Sequence, residues 1–287
     1  MTAKKVNYLN NKDILKEIHK SKMTFCWILD PAIYHQYDLI LDDITEITTD
    51  SLAEAKINQS NRIQSEGYAS AMALHTGSDY RNKPKQKDFA VDPAGIPDDG
   101  VVFRVMTYDH IPEDLTRRKN PKTDAESHSK CNFPPFKHYA YINNTLTEVA
   151  RSHWHGDLST GDFSTEHGKL THKLGTMFLK LVERYSHRSN WRGYSYVDEM
   201  RGEALLQLSS VGLKFNEARS DNPFAYYTAA VNNCFTRVLN SEKRNQNIRD
   251  DILVDQGHLP SYTRQMAHEE NVRKLREEAE STENFGD

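Results

Sequence analysis

Amide and basic side chains recur at spacings of three to four residues between Asn232 and Arg249. Residues three or four apart lie on one face of a helix, so these side chains are predicted to line a single ridge. Asparagine pairs with adenine edges, whereas arginine and lysine contact guanine edges or phosphates. The chemistry open to this ridge is recognition of nucleic acid. Its members are Asn232, Asn233, Thr236, Arg237, Asn240, Lys243 and Arg244.

This segment is basic although the whole chain is acidic. The chain carries 37 Lys and Arg against 41 Asp and Glu, a formal charge of −4, so bulk charge does not attract it to nucleic acid. Residues 232–249 hold four basic residues and one acidic residue. Tyr226 and Tyr227 precede the ridge and offer flat faces for an unstacked base. The alternative is an ordinary amphipathic helix with a polar outer face.

A second group of residues with possible chemistry consists of four histidines, His153, His155, His167 and His172. A zinc or nuclease metal needs three or four ligands on a rigid frame. The Gly-, Ser- and Thr-rich sequence between them, and the lack of an acidic ligand at a motif-like spacing, favour polar loop histidines instead. Phosphate-cradling glycine motifs are absent and no local pattern nominates a nucleophile, so no cofactor is predicted.

Three helices are predicted to position the ridge. Apolar residues recur at helical spacing over 170–185 and 197–211, and a third helix opens with Asn222-Pro223, an N-cap followed by proline. Short connections between these helices favour a compact bundle. The apolar stripe of the third helix is Phe224, Tyr227, Val231, Cys234, Phe235 and Val238.

The first part of the chain has a different texture. Asn11 is predicted to cap a short helix within residues 1–20. Residues 24–29 and 101–108 are rich in β-formers and predict strands, whereas residues 51–74 read as a helix. Polar, proline-punctuated stretches separate these elements and predict long loops.

The predicted fold is therefore mainly α, with a small α+β module over 1–140, a helical domain over 141–255 and a polar, charged tail over 256–287. The helical texture begins at about 141, and the bundle extends to about 250. Residues 263–283 are highly charged and predict either a solvated helix or disorder.

Composition excludes several classes of protein. Only 37% of the residues are apolar, and no apolar run approaches the ~18 residues of a membrane span. The basic residues near the N-terminus lack an apolar segment behind them, so we expect no secretory signal and no membrane partner. Three widely spaced cysteines favour a reducing cytosol over a disulfide framework.

Three segments together resemble region 2 of the bacterial sigma factors. They are residues 193–208, the turn Lys-Phe-Asn-Glu at 214–217, and residues 222–237, with the opening Asn-Pro-x-Ala-Tyr and the string Phe-Thr-Arg. The chain is most similar to the late-transcription sigma factors of T4-type bacteriophages, and residues 1–140 resemble the longer versions in phages of marine cyanobacteria. The resemblance implies a sigma region 2-like helical bundle.

The resemblance also implies a surface that docks on the β′ coiled-coil of core RNA polymerase. In the family, an acidic residue, a Leu-like residue and a second Glu open the docking helix, and Glu199, Met200 and Glu203 match them. Leu206 and Leu208 follow as core-facing residues. The implied polymerase-binding set is Glu199, Met200, Glu203, Leu206, Gln207 and Ser210.

On the DNA side, Tyr226 matches the family aromatic that receives a flipped base. The resemblance adds Thr228 to the predicted DNA-binding residues, which include Tyr227 for its flat face beside Tyr226. Primary sigma factors place two tryptophans as a wedge where this chain has Ala229 and Ala230, and no second helix-turn-helix domain is evident after residue 250. Phage late factors bind the sliding clamp through an acidic, hydrophobic tail, and here the tail has only Phe285 as an anchor, which leaves clamp binding open.

We therefore predict a specificity subunit without catalysis of its own. It binds host core RNA polymerase in the cytoplasm of an infected bacterium and recognises and helps to melt an AT-rich −10-like element of late promoters. The sliding clamp and a late co-activator are further partners that the resemblance implies. The alternative is a metal-dependent nuclease that uses the four histidines, with the basic helix as its grip on DNA.

Overall fold

A computed structural model describes residues 9–75, 83–114, 116–166 and 168–283. This part of the chain is mainly α-helical with a small mixed sheet, as the sequence predicts. The helices are α1 (Asn11–Met23), α2 (Thr49–Leu74), α3 (Asp124–Ser127), α4 (His172–Ser186), α5 (Val197–Val211), α6 (Pro223–Asp255) and α7 (Tyr262–Glu283). The strands are β1 (Cys26–Ile28), β2 (Leu39–Leu41), β3 (Val102–Met106), β4 (Phe136–Ile142), β5 (Thr145–Ser152), β6 (Trp154–His155) and β7 (Asp162–Phe163).

The chain divides into two compact units. The first comprises Met1–Leu181 and Gln207–Thr228, and the second comprises Val182–Leu206 and Ala229–Asp287. The domain boundaries predicted from the sequence, at 140/141 and 255/256, rest on composition and hydrophobic periodicity rather than on contacts. They stay predictions.

The sheet of the first unit explains why the sequence of β3 is mostly apolar. Five strands follow the order β1-β5-β4-β3-β2, with β2 parallel to β3 and the other neighbours antiparallel. Phe103 packs with Ala55 of α2, while Val102 packs with Ala140 and Val149. Because successive strand residues point to opposite faces, both faces of β3 are covered and the strand reads as one apolar run.

The predicted start of helical texture at about 141 is wrong for residues 141–163, which contain strands. β4 and β5 pair as far as Ile142 and Thr145, and the two residues between them, Asn143 and Asn144, have φ of 51° and 62°. Two positive φ values define a type I′ hairpin turn, which asparagine tolerates better than most residues. The first helix of the predicted bundle begins at His172.

Helix α1 begins as predicted within residues 1–20, but Asn11 is not its cap. The side chain of Asn10 accepts the N–H of Asp13 at 2.7 Å and is the N-cap. The side-chain oxygen of Asn11 instead accepts the N–H of Phe224 at 3.0 Å, in the first turn of α6. Asn222 accepts the N–H of Ala225 at 3.0 Å, which confirms its predicted capping role.

The remaining helix and strand predictions agree with the structure. Residues 24–29 and 101–108 contain β1 and β3, and α4, α5 and α6 cover the three predicted bundle helices. Residues 263–283 fall within α7, whose described side chains are mostly exposed, so the solvated helix is the correct alternative. None of the described helices is long and apolar enough to cross a membrane.

Candidate nucleic-acid interface

The outer face of α6 carries the predicted ridge. All seven of its members are exposed, whereas Val231, Cys234, Phe235 and Val238 on the opposite face are buried. Burial of the apolar stripe fixes the rotation of the helix about its axis, so the amides and bases face outward. The structure thus presents the ridge as one continuous exposed surface on a single helix.

Two members of the ridge are engaged inside the chain. The side-chain oxygen of Asn232 accepts a hydrogen bond from the hydroxyl of Tyr185 at 2.6 Å, so one acceptor position of this amide is already used. The guanidinium of Arg237 lies 3.0 Å from a carboxylate oxygen of Glu203. Asn233, Thr236, Asn240, Lys243 and Arg244 have no such partner within the described residues.

Tyr226 is the exposed aromatic residue in the first two turns of α6. Its side chain is 37% exposed. Its ring meets the rings of Phe215 and Tyr227 edge-on, with centroids 5.5 and 5.2 Å away. Partial burial raises the pKa of the Tyr226 hydroxyl, which stays protonated at neutral pH. The two neighbours hold the ring in place, which suits it to stack on an unpaired base.

The structure corrects the prediction for Tyr227, which lies in the hydrophobic core. Its side chain is fully buried, its hydroxyl donates to the carbonyl oxygen of Gly212, and its ring packs on Phe178 with centroids 4.9 Å apart. Burial raises the pKa of this hydroxyl. Tyr227 cannot stack on a base without leaving the core, so its place in the apolar stripe is the correct interpretation.

Thr228 also differs from its predicted role in DNA binding. Its hydroxyl oxygen is buried and has no hydrogen-bond partner among the described residues. The residue is partly exposed, but its hydroxyl is therefore not available to DNA in this conformation. Ala229 and Ala230, at the positions where primary sigma factors have tryptophans according to the resemblance, are exposed and partly exposed respectively.

The predicted polymerase-binding residues on α5 separate into exposed and buried members. Glu199, Leu206 and Ser210 are exposed, and Glu203 and Gln207 are partly exposed. Met200 is fully buried and belongs to the chain's own hydrophobic core, so its predicted contact with polymerase is corrected. Leu208 is buried as expected of a core-facing residue, whereas Leu206 is 66% exposed and does not share that environment.

The histidines do not converge in the described part of the chain. His153 is fully buried, has φ of 53°, and packs against Phe133 with ring centroids 4.1 Å apart. His155 and His172 are exposed, and His167 lies outside the described residues. Among the residues that the structure describes, no group of three or more His, Cys, Asp or Glu could hold a metal ion. The nuclease alternative stays a hypothesis.

Sequence reasoning missed a buried ionic cluster behind the turn at 214–217. Glu217 binds the ammonium group of Lys22, which also donates to the carbonyl oxygen of Phe215 at 2.7 Å. A second cation, Arg104, lies 3.8 Å from the other carboxylate oxygen of Glu217. Burial alone would raise the pKa of Glu217, but Lys22 and Arg104 outweigh it and the pKa lies below its ordinary value.

Arg104 reaches this cluster from the middle of β3. Its guanidinium lies between the rings of Tyr37 and Phe136, 4.0 and 3.8 Å from their centroids. It also donates to His138 at 3.1 Å and to His19 at 2.8 Å. A charged residue inside the apolar run Val101–Met106 was the sequence signal, because such a residue is buried only with partners.

The predicted clamp anchor, Phe285, also lies outside the described residues.

Comparisons of the chain with protein-family models, with curated proteins and with solved structures find no match.

Proposed function

We propose that this protein is a sigma-type specificity factor that binds host core RNA polymerase and directs it to an AT-rich −10-like promoter element. The observation that carries the proposal is the exposed ridge of α6 together with the exposed ring of Tyr226 on the same helix. This combination supplies base-edge contacts, phosphate contacts and a stacking face along one helix.

The ridge has the length of a short promoter element. From Asn233 to Arg244 the helix advances by about 16 Å at 1.5 Å per residue. One DNA strand rises 3.4 Å per nucleotide, so this length matches about five nucleotides. We assign base contacts to Asn233 and Asn240 and phosphate contacts to Lys243 and Arg244, because their side chains are exposed and have no partner in the described residues.

Among the aromatic residues of α6, we assign the stacking contact in promoter melting to Tyr226. Extruding a base costs a few kcal/mol, and stacking on an aromatic ring returns ~1–3 kcal/mol. One tyrosine therefore offsets about one flipped base. With Tyr227 in the core and alanines at 229 and 230, the protein needs the polymerase for the rest of the bubble.

The polymerase contact is assigned to the exposed residues of α5. Glu199 and Glu203 present carboxylates one helical turn apart, and Leu206 adds an exposed apolar side chain on the same helix. Acidic side chains around an exposed leucine fit a basic, partly apolar partner surface. In this assignment Met200 supports α5 from inside and does not touch the polymerase.

Co-elution with host core RNA polymerase in size-exclusion chromatography tests the proposal. We expect a complex at equimolar input, which Glu199→Lys disrupts. Glu269→Lys makes the same charge change at an exposed position of α7 and is the matched control. Separate elution of the unmodified protein and the polymerase would reject the proposed function.

A further inference from the structure

A polar groove in the first unit is lined, in the described part of the chain, by residues outside α5 and α6. It has a volume of ≈ 920 Å³, and α1, α2 and the segment 35–37 line it. This is near the upper end of the volumes that hold one small-molecule ligand. The proposed function does not use this groove.

One wall of the groove is a row of lysines on α1. Lys12, Lys16 and Lys20 all line it, and all are exposed. Spacing by four residues places them on one face of the helix, with successive residues about 6 Å apart along its axis. A row of point charges at this separation suits the successive phosphates of an extended strand.

The facing wall, on α2, offers neutral hydrogen-bonding groups and an aromatic ring. Asn58, Asn61 and Ser65 line the groove there, together with Tyr68. The amides of Asn58 and Asn61 make no hydrogen bond with other described residues. Amides read the edges of bases and tyrosine stacks on their faces, so this wall complements the bases of a strand whose phosphates follow the lysines.

A buried imidazole nitrogen at the groove lacks a partner. The Nδ1 atom of His35 is inaccessible to solvent and has no hydrogen-bond partner among the described residues. The carbonyl oxygen of the same residue accepts the Nε2–H of His19 at 2.5 Å. That tautomer of His19 follows from Arg104, which can only donate to its Nδ1. The backbone of His35 is therefore held at the wall of the groove by His19.

The acidic residues around the groove neutralise part of its charge. Lys12, Lys16, Lys20 and Arg62 line it, Arg62 binds the buried Asp38 at 2.6 Å, and Lys20 lies 3.7 Å from Glu17. Asp13 is bound by the cap residue of α1. Glu66 lies 3.1 Å from Lys16, and both side chains are more than two-fifths exposed, so a ligand displaces this contact easily.

We propose that this groove binds single-stranded nucleic acid, with the phosphates on the lysine row of α1 and the bases against α2. The assignment does not depend on the proposed function, because it concerns the chain without polymerase. An acidic peptide is the competing occupant; its backbone would bond to the amides, but it brings no bases to stack on Tyr68.

Fluorescence anisotropy of a labelled oligothymidylate of about 12 nucleotides, a length within single-strand site sizes, tests the groove on the full chain. We expect the variant Lys12→Ala/Lys16→Ala/Lys20→Ala to bind at least tenfold more weakly. Its slope of log K against log salt should fall by about 0.7 for each phosphate that a lysine no longer neutralises. Lys119→Ala/Lys122→Ala/Lys130→Ala removes the same charge from exposed positions outside the groove and is the matched control.

A second variant separates base contacts from charge. Asn58→Ala/Asn61→Ala should weaken binding several-fold with the salt slope unchanged, because no charge is removed. Thermal melts of each variant identify loss of fold as a separate cause.

Three results would overturn the assignment. One is an equal loss in the groove variant and its lysine control, which would indicate non-specific attraction. Another is full displacement of the oligonucleotide by polyglutamate at equal charge. The last is loss of binding in Lys243→Ala/Arg244→Ala but not in the groove variant, which would place the strand on α6.

Discussion

The guanidinium of Arg237 lies 3.0 Å from the carboxylate of Glu203, so a residue assigned to DNA contacts a residue assigned to polymerase. The two side chains are 60% and 42% exposed. An ion pair this exposed contributes ~0.2–1 kcal/mol, so either partner can leave it at little cost. The ion pair therefore connects the proposed DNA-binding and polymerase-binding surfaces in the free protein, and either partner can still exchange it for a contact with DNA or polymerase.

Charge reversal on α5 should abolish binding to polymerase. Glu203→Lys places like charges beside Arg237 as well as at the interface, whereas Glu199→Lys acts at the interface alone. We expect both variants to fold and neither to co-elute with core RNA polymerase. Retention of the complex by the double variant, with a normal thermal melt, would remove α5 as the docking surface.

Lys243 and Arg244 should govern the salt dependence of promoter binding. Neutralising one residue that touches a duplex phosphate reduces the slope of log K against log salt by about 0.9. Arg237→Ala should do the same, because in the DNA complex its guanidinium is expected to leave Glu203. Titrations of the reconstituted holoenzyme between low and moderate salt measure these slopes. Identical slopes for the three alanine variants and the unmodified protein would show that the ridge does not touch phosphates.

Alanine substitutions of Tyr226 and Tyr227 should have different effects, the first on promoter opening and the second on stability. Tyr226→Ala removes stacking worth ~1–3 kcal/mol, a loss of roughly 5- to 150-fold in the open-complex equilibrium, with little change in thermal stability. A premelted bubble should restore part of it because the unpairing cost is already met.

Tyr227→Ala should instead destabilise the fold by about 3–5 kcal/mol, as truncation of a buried aromatic does. Tyr227→Phe loses only the hydrogen bond to Gly212, at about 1 kcal/mol. Permanganate reactivity beside a thermal melt distinguishes the two residues. A stably folded Tyr226→Ala protein that opens promoters fully would contradict the assignment of Tyr226 to base stacking.

Because of Glu217, the free energy of unfolding should fall at acidic pH. Its pKa lies below the ordinary value of 4.5, so its contribution is complete above about pH 4.5 and is lost as the pH falls through the lower folded-state value. Glu217→Gln leaves Lys22 and Arg104 buried without a counter-charge and should cost about 3–5 kcal/mol.

Urea unfolding at several pH values measures this effect. Glu54→Gln, at an exposed position of α2, is the control and should leave stability nearly unchanged. Equal stability of Glu217→Gln and the unmodified protein at neutral pH would show that the cluster does not hold the turn at 214–217.

Local signals in the sequence were sufficient to predict the helices that carry the proposed surfaces. The apolar stripe of α6 and the cap at Asn222 predict the helix and its outward face, because both depend on neighbours within one or two turns. The hairpin at Asn143-Asn144 was also a local signal and was missed.

Burial of individual residues needed long-range information. Tyr227 fitted both the stripe and the set of exposed tyrosines, and only its contacts with Gly212 and Phe178 decide between them. Lys22 and Glu217 are far apart in the chain, so no periodicity connects them. The groove on α1 likewise depends on where α2 packs.

Promoter opening by the reconstituted holoenzyme tests the central claim most directly. Core RNA polymerase with this protein is incubated with a pool of duplexes randomised at the −10 position, and permanganate-reactive molecules are selected and sequenced. We predict that AT-rich −10 elements are enriched only when the protein is present, and that Tyr226→Ala reduces the enrichment. Permanganate reactivity no greater than with core polymerase alone would contradict the assignment of this protein as a sigma-type factor.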